Sequence, residues 1–146
     1  MNITPEDYLK DRLDNQIEWY SKKSSSNQKM YKRLQLTTII TSASIPFLSG
    51  YSEQYPTFNI VIGIIGVVVA SITAILSLNK YQENWLHYRT TSESLKHQKY
   101  LYLTGTDPYH EANAFNVLVQ QVEALISKEN STWSQQMTKP QEQKNK

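Results

Sequence analysis

The sequence predicts an all-α membrane protein: a two-transmembrane helical hairpin with long cytoplasmic helical extensions, assembled as a symmetric homo-oligomer. Three observations lead to this prediction. Two apolar stretches lack charged residues, a short segment connects them, and basic residues stand on both outer flanks. The mean hydropathy of -0.55 is that of a soluble protein only because it averages these stretches with long polar arms. The apolar stretches therefore have to be judged locally.

Residues 1–33 are predicted to form an N-terminal cytoplasmic helix. Thr4 has the side chain of an N-cap, and Pro5 follows at the first helical position, where the missing N–H of proline costs nothing. Positions spaced by three and four residues then continue in heptad rhythm from Leu13 to Leu34. We therefore expect this helix to run directly into the first apolar stretch.

Residues 34–78 are predicted to be the transmembrane hairpin, with spans at 34–50 and 58–78 and an outer loop at 51–57. The second span has no charged residue, and a helix of its length covers about 30 Å, the thickness of the hydrocarbon core. Hydroxyl side chains interrupt the first span repeatedly, and the short loop pairs it with the second. Pro46 predicts a kink in the first span, because proline removes a backbone donor and crowds the preceding turn.

Basic residues predict the orientation of the hairpin. They precede the first span and follow the second, whereas Glu53 is the only charged residue of the connecting loop. By the positive-inside rule, we expect a multi-pass protein of the plasma membrane with both termini in the cytoplasm. The basic residues are Lys22, Lys23, Lys29, Lys32 and Arg33 before the first span, and Lys80, Arg89, Lys96 and Lys99 after the second.

Residues 79–130 are predicted to form a cytoplasmic helical region, followed by a disordered C-terminal tail at 131–146. The heptad spacing predicts one helix from the second span to about Leu103, with Gly105 after its end. A third helix is expected to open at Pro108. Its apolar stripe consists of Phe115, Leu118, Val122, Leu125 and Ile126.

The apolar stripes of the cytoplasmic segments leave two alternatives open. They pack against each other as a short antiparallel bundle within one chain, or the stripe that contains Ser92 and Lys99 lines a symmetric bundle of several subunits.

No residue pattern indicates catalysis, so we expect no enzyme, no cofactor and no metal site. The chain has no cysteine, and His87 and His97 do not have a ligand spacing on one helix face. It also lacks a glycine-rich phosphate loop. A net charge of +2 is too small to indicate a nucleic-acid partner.

A row of hydroxyls marks one face of the first span. Thr37, Thr41 and Ser44 share this face, and in lipid each would bond a carbonyl of its own helix or a neighbouring helix. The alternative is an aqueous pore that they line at the centre of an oligomer. Glu53 would then form a ring at the outer mouth, with Asn59 in the same vestibule. Neither span contains an ionisable residue, which argues against an ion-coupled transporter.

Small residues form a stripe on the second span, at Gly63, Gly66, Ala70 and Ala74. Small side chains let another helix approach closely. We therefore assign this stripe to helix packing, against either the first span or the next subunit.

A block of residues behind the second span follows the pattern W-x-x-Y-R-x-x-[AS]-E-x-L-[KR]. It is followed by a Tyr-Leu-Tyr segment, a Pro-Tyr pair, and Glu129 four residues before Trp133. The most characteristic residues of the block are Trp85, Tyr88, Arg89 and Glu93.

With two spans placed just before this block, the chain resembles the SLATT family, the SMODS- and SLOG-associating two-transmembrane effectors. The resemblance implies a small membrane effector that forms pores or perturbs the membrane in prokaryotic defence, with a separate cytoplasmic protein as its sensor. It also implies that Arg89 and Glu93 link helices near the membrane. From the sequence alone, their spacing equally fits an exposed pair within one helix.

Together these features predict an oligomeric pore-forming or ion-channel-like membrane effector, permeable to cations. Because two spans cannot enclose a water path, the pore requires a homo-oligomer, a tetramer or larger, in the lipid bilayer. The alternative is a membrane-anchored scaffold whose cytoplasmic helical bundle binds a protein partner.

Overall fold

The computed structural model describes the backbone of residues 3–138 and the side chains of residues 3–128 and 131. Within this part of the chain all regular elements are helices, so the predicted all-α class is confirmed. The elements are α1 (Pro5–Asp7), a π-helical segment (Tyr8–Asp14), α2 (Asn15–Ser49), α3 (Thr57–Asn79), α4 (Tyr81–Leu103) and α5 (Ala114–Thr138).

The chain divides into two compact units. The core unit combines Met1–Lys22 with His87–Lys146, and the hairpin unit is Lys23–Leu86. The first contains the N-terminal segment, most of α4 and α5. The second contains most of α2, all of α3 and the first residues of α4.

The core unit is held together by apolar side chains from three helical segments. Leu13, Leu95, Leu118 and Val122 have no solvent-exposed surface, and burying such a side chain contributes roughly 1.5–3 kcal/mol. These contacts confirm that the stripes pack against each other within one chain. The buried cluster consists of Tyr8, Leu13, Tyr20, Leu95, Tyr109, Leu118, Val122 and Ile126.

The first helix begins as predicted. Thr4 is extended, its Oγ1 accepts a hydrogen bond from the N–H of Asp7 at 3.2 Å, and Pro5 opens the helix. The cap thereby satisfies one of the donors that a helix start leaves without an intrahelical partner.

Within the core unit, a carboxylate on α5 ties this helix to the π-helical segment. The Arg12 guanidinium donates to both oxygens of Glu123 at 2.9 Å, and the Tyr8 hydroxyl donates to Oε1 at 3.1 Å. The hydrogen bond from Arg12 lowers the pKa of Glu123, whereas burial and the nearby carboxylate raise the pKa of Tyr8. A second pair, Lys99 Nζ to Asp14 Oδ1 at 2.6 Å, links α4 to the same segment.

The predicted uninterrupted helix from the second span to Leu103 is corrected at one residue. Lys80 has the left-handed conformation, with φ 48° and ψ 39°, and separates α3 from α4. Asparagine side chains stabilise the break: Asn79 Nδ2 donates to the carbonyl of Ile75, and Asn84 Nδ2 donates to that of Asn79. Hydrophobic spacing does not register such a local change of backbone conformation.

Gly105 lies after the end of α4 as predicted, with φ 62°. The N–H of Thr106 donates to the carbonyl of Leu101, and that of Gly105 donates to the carbonyl of Tyr102. This pair of bonds is a Schellman motif, which requires a residue that tolerates positive φ.

The third helix begins at Ala114 instead of Pro108. The loop between α4 and α5 contains Tyr109, which is buried and whose hydroxyl donates to Gln98 Oε1. Because burial of this ring fixes the path of the loop, the loop residues are not part of α5. Helix α5 then extends to Thr138, beyond the predicted end of order at residue 130. Its last turns contain lysine, glutamate and glutamine, which have high helix propensity. The rest of the predicted tail, 139–146, lies outside the described residues.

One helical stretch, Thr57–Leu103, is long and apolar enough to cross a membrane. Its most apolar window has a mean hydropathy of 2.7 and is 0% buried inside the chain, unlike the core helix of a soluble protein. Helix α2 does not meet the same criteria in the described residues, because hydroxyl side chains lower its hydropathy.

Replacing Glu123 tests the contact between α5 and the π-helical segment. We expect Glu123→Gln to raise hydrogen-exchange rates of the α5 amides about five-fold at pH 7, a loss of about 1 kcal/mol for a half-exposed charge-assisted contact. Because folding lowers the pKa of Glu123, the contribution is present above the ordinary carboxyl pKa and is lost as pH falls through the folded-state value. The thermal unfolding curves of both proteins should therefore converge in acid.

Glu53→Gln is the matched control, since it makes the same chemical change in an exposed loop. Equal exchange rates in the two variants, or a difference that persists in acid, would contradict this account.

Candidate functional site

The predicted hydroxyl row lies on one face of α2. Thr37 donates to the carbonyl of Arg33 at 2.9 Å, Thr41 to that of Thr37 at 2.7 Å, and Ser44 to that of Thr41 at 2.7 Å. Each hydroxyl hydrogen is therefore bound within its own helix, as one of the two alternatives for this row states.

These bonds determine the polarity that the row presents to its surroundings. A hydroxyl has one donor and two acceptor lone pairs, and here the donor is directed to the backbone. The polar part of the outward surface of Thr37, Thr41 and Ser44 therefore presents acceptor lone pairs, beside the methyl groups of the two threonines. Such oxygens suit cations better than anions.

The hydroxyl row borders the face through which α2 packs. Thr37 is exposed, while Thr41 and Ser44 are half-buried. Within the hairpin unit, α3 has a half-buried face whose residues are spaced by three and four positions. That face consists of Phe58, Ile62, Ile65, Val69, Ile72 and Leu76.

The small residues of α3 lie on a different face. Gly63, Gly66, Ala70 and Ala74 are exposed, and a Cβ added at either glycine would have no neighbouring atom within 4 Å. At the two glycines no other part of the described chain comes this close, so packing against the first span has no support there. Packing against the next subunit stays a prediction.

Glu53 lies in the connection between α2 and α3, Asn59 lies in the first turn of α3, and both are exposed. The connection is a succession of tight turns, in which the N–H groups of Gln54 and Tyr55 donate to the carbonyl of Tyr51 at 3.2 and 3.1 Å. These turns hold Glu53 at the tip of the hairpin unit, a fixed position for a single negative charge.

The tryptophan of the family-like block lies in the hairpin unit and contacts α2. Its main-chain carbonyl accepts a hydrogen bond from the Ser24 hydroxyl at 3.2 Å, and Ser24 is only 4% exposed. The rings of Trp85 and Tyr31 are 6.5 Å apart, and Lys32 Nζ lies 5.8 Å from the Trp85 ring. Ser24 is small enough to let the two helices approach closely.

The remaining residues of the block lie in the core unit. The Tyr88 ring contacts that of Trp19 edge-on at 5.9 Å. Ser92, which is 1% exposed, donates to the main-chain carbonyl of Ile17 at 3.3 Å. The hydroxyl-to-carbonyl contact seen at Ser24 therefore recurs in this unit.

Arg89 and Glu93 form an exposed pair within α4, at 3.2 Å. Glu93 also accepts from Lys96 at 3.0 Å, and this hydrogen bond lowers the pKa of Glu93. Among the described residues the pair joins no second helix, so the intrahelical alternative is the one observed.

An open groove of about 750 Å³ runs along this part of the core unit. Exposed charges of α4 line it together with Leu125 of α5. Its principal lining residues are Arg89, Glu93, Lys96, His97, Tyr100 and Leu125.

The contacts of Glu123 were not predicted from the sequence. One signal was present: Glu123 is the only charged residue between Glu111 and Lys128, within an otherwise apolar and amide-rich stretch. Its partners, Tyr8 and Arg12, are more than one hundred residues away, so no local spacing could identify them. No group of three metal-ligating side chains occurs in the described part of the chain.

A family model described as a protein of unknown function (DUF4231) matches residues 15–116. The match begins at the first residue of α2 and ends just inside α5. It therefore includes the hydroxyl row, α3 and the block from Trp85 to Glu93. No curated protein and no solved structure matches the chain.

Substitution of Ser24 tests the close contact with Trp85. We expect Ser24→Leu to destabilise the protein by about 1–3 kcal/mol, because the larger side chain overpacks a buried position and the hydrogen bond is lost. Thermal unfolding in detergent, followed by circular dichroism and tryptophan emission, measures the effect.

Ser25→Leu is the matched control, since Ser25 is the exposed neighbour in the same helix and the change in helix propensity is identical. If both variants unfold at the same temperature, the contact at Ser24 has no packing role.

Proposed function

The chain belongs to the DUF4231 family, and we propose that it is an oligomeric, cation-permeable, pore-forming or channel-like protein of the plasma membrane. The hydroxyl row of α2 is the observation that carries this proposal. An uncharged helical face whose polar groups are hydroxyl oxygens acting as acceptors stabilises a partly dehydrated cation without trapping it.

The membrane placement is supported by the composition of both helices of the hairpin unit. No residue in the apolar window of α3 is fully buried by the chain, and exposing this window to water would be unfavourable. The first span at 34–50 also lacks charged residues and is joined to α3 by a short loop. We infer a two-span topology with both termini in the cytoplasm. The reason is that basic residues flank the spans on their outer sides, whereas the only charged residue of the loop is Glu53.

Oligomer formation is required by this proposal, since one hairpin cannot surround a water path. The exposed small-residue face of α3 supports it, because Gly63 and Gly66 leave room for the backbone of another helix. We propose that this face contacts the next copy in a homo-oligomer, a tetramer or larger, and that the hydroxyl row then faces the central axis.

The resemblance to SLATT proteins supports the same reading at the level of biology. It suggests a membrane effector in prokaryotic defence that responds to a separate cytoplasmic sensor. The block from Trp85 to Glu93, which carries this resemblance, lies within the residues that the family model matches.

A second candidate function is a membrane-anchored scaffold, and the open groove on α4 favours it. The groove combines charged side chains with the apolar surface of Leu125, a combination that suits a protein partner. In this case the hydroxyls of the row would only bond carbonyls of their own helix. Vesicles that contain the protein would remain impermeable to ions.

Substitution in the hydroxyl row tests the pore. With wild-type protein in liposomes we expect a cation leak that depends on the protein. Thr41→Leu should abolish the leak while leaving the oligomer intact, because an apolar side chain replaces an acceptor oxygen in the proposed pore wall. Ion flux and size-exclusion chromatography with light scattering measure the two properties.

Thr73→Leu is the matched control, since Thr73 of α3 also bonds a carbonyl of its own helix, that of Val69 at 2.8 Å. Its flux should equal that of the wild type. An unchanged current in Thr41→Leu would remove α2 from the pore wall.

The charge of Glu53 gives an independent prediction. A ring of carboxylates at the outer mouth concentrates cations by electrostatic attraction, so Glu53→Gln should reduce the preference for cations over anions several-fold at low salt. At high salt the difference should shrink, because ions screen exposed charges. Reversal potentials under a salt gradient measure this preference, and an identical value in both proteins would place Glu53 away from the ion path.

A further inference from the structure

One face of α2 changes abruptly from cationic to apolar. At 100° per residue, Lys29, Lys32 and Arg33 lie on the side of the helix opposite to its half-buried residues. The same side continues toward Ser49 with apolar side chains, all more than half exposed. They are Leu36 (58%), Ile39 (56%), Ile40 (61%) and Phe47 (67%).

The three cations of this face have no carboxylate partner among the described residues. The lysines nearby differ in this respect: Lys22 pairs with Glu18 at 2.6 Å, and Lys80 lies 3.7 Å from Glu83. Lys32 instead lies over the Trp85 ring, and such a contact leaves its positive charge uncompensated. The turn therefore carries three positive charges that no carboxylate in the described part of the chain neutralises.

The dimensions of this face correspond to one lipid molecule. From Leu36 to Phe47 the helix rises about 16 Å, close to the roughly 15 Å of hydrocarbon in one leaflet. The basic turn lies at the end of this apolar stretch, where a phosphate would be. The face is thus positive where a phospholipid is negative and apolar where its acyl chains are.

We propose that this face of α2 binds an anionic phospholipid of the cytoplasmic leaflet. The phosphate lies against Lys29, Lys32 and Arg33, and an acyl chain lies along Leu36 and Phe47. The inference rests on the membrane placement of α2 proposed above, but it does not depend on ion conduction. Juxtamembrane lysines and arginines attract anionic headgroups in this way.

Quenching of Trp85 by brominated lipids tests the proposal, since Lys32 Nζ lies 5.8 Å from its ring. The full chain with Trp19→Phe and Trp133→Phe retains Trp85 as its one tryptophan. It is reconstituted in vesicles of unbrominated phosphatidylcholine. These vesicles contain, in addition, either phosphatidylglycerol or phosphatidylcholine that is brominated on its acyl chain. We expect the relative association constant to favour the brominated phosphatidylglycerol at least ten-fold.

The triple variant Lys29→Gln, Lys32→Gln and Arg33→Gln should lose this preference. Lys10→Gln with Lys22→Gln and Lys128→Gln removes the same number of charges elsewhere and should keep it. The variant with Lys29→Arg and Lys32→Arg retains all three positive charges and should retain the lipid preference. That result would exclude altered packing as the cause of the loss in the glutamine variant.

The outcomes distinguish failure of the lipid site, of the pore and of the membrane placement that both require. Equal quenching by both brominated lipids, or a preference that survives in the triple glutamine variant, overturns the lipid site alone. Absence of quenching by either lipid overturns the membrane placement on which both proposals rest. Lipid preference in vesicles that remain impermeable to ions would leave the lipid site standing and contradict the pore.

Discussion

Both units of the chain contain the same close contact between helices, a hydrogen bond from a serine hydroxyl to the main-chain carbonyl of another helix. Ser24 makes it to Trp85 in the hairpin unit, and Ser92 makes it to Ile17 in the core unit. A carbonyl that already accepts an intrahelical bond retains a second lone pair. The serine uses this lone pair, and its small side chain brings two helix backbones within reach of each other. Larger residues at these buried positions would separate the helices and weaken the packing of the aromatic rings around them.

Charge is distributed differently from apolar surface in the core unit. Its interior contains leucine, valine, isoleucine and tyrosine, and the ion pairs of Arg12 and Lys99 lie at its edge, partly in water. Pairs in such positions contribute little individually, but each of these two joins segments that are remote in sequence. The π-helical segment belongs to this edge and carries both Tyr8 and Arg12 to Glu123.

Features that depend on a few neighbouring residues were predictable from the sequence. The cap at Thr4, the glycine after α4 and the apolar stripe of α5 follow from local chemistry and helical spacing, and the structure contains all of them. The hydroxyl row of α2 was predictable for the same reason.

Features decided by tertiary contact were not predictable. The start of α5 at Ala114 depends on burying Tyr109, and the partners of Glu123 are remote in sequence. The exposed side of Gly63 and Gly66 follows from which face of α3 the larger side chains occupy. The spacing of the small residues predicted a packing role for that stripe. It contained no information about whether the stripe faces another helix of the same chain.

The break at Lys80 has a consequence for how α3 is made. Asn79 and Asn84 donate to carbonyls only four or five residues earlier, and the N–H of Asn84 donates to the carbonyl of Lys80. The end of α3 is therefore completed by residues of its own neighbourhood. During synthesis, the polar groups at this end find their partners as soon as Asn84 has left the ribosome. In the membrane placement proposed above, release of α3 from an insertion channel into lipid need not wait for α5, which is translated after it.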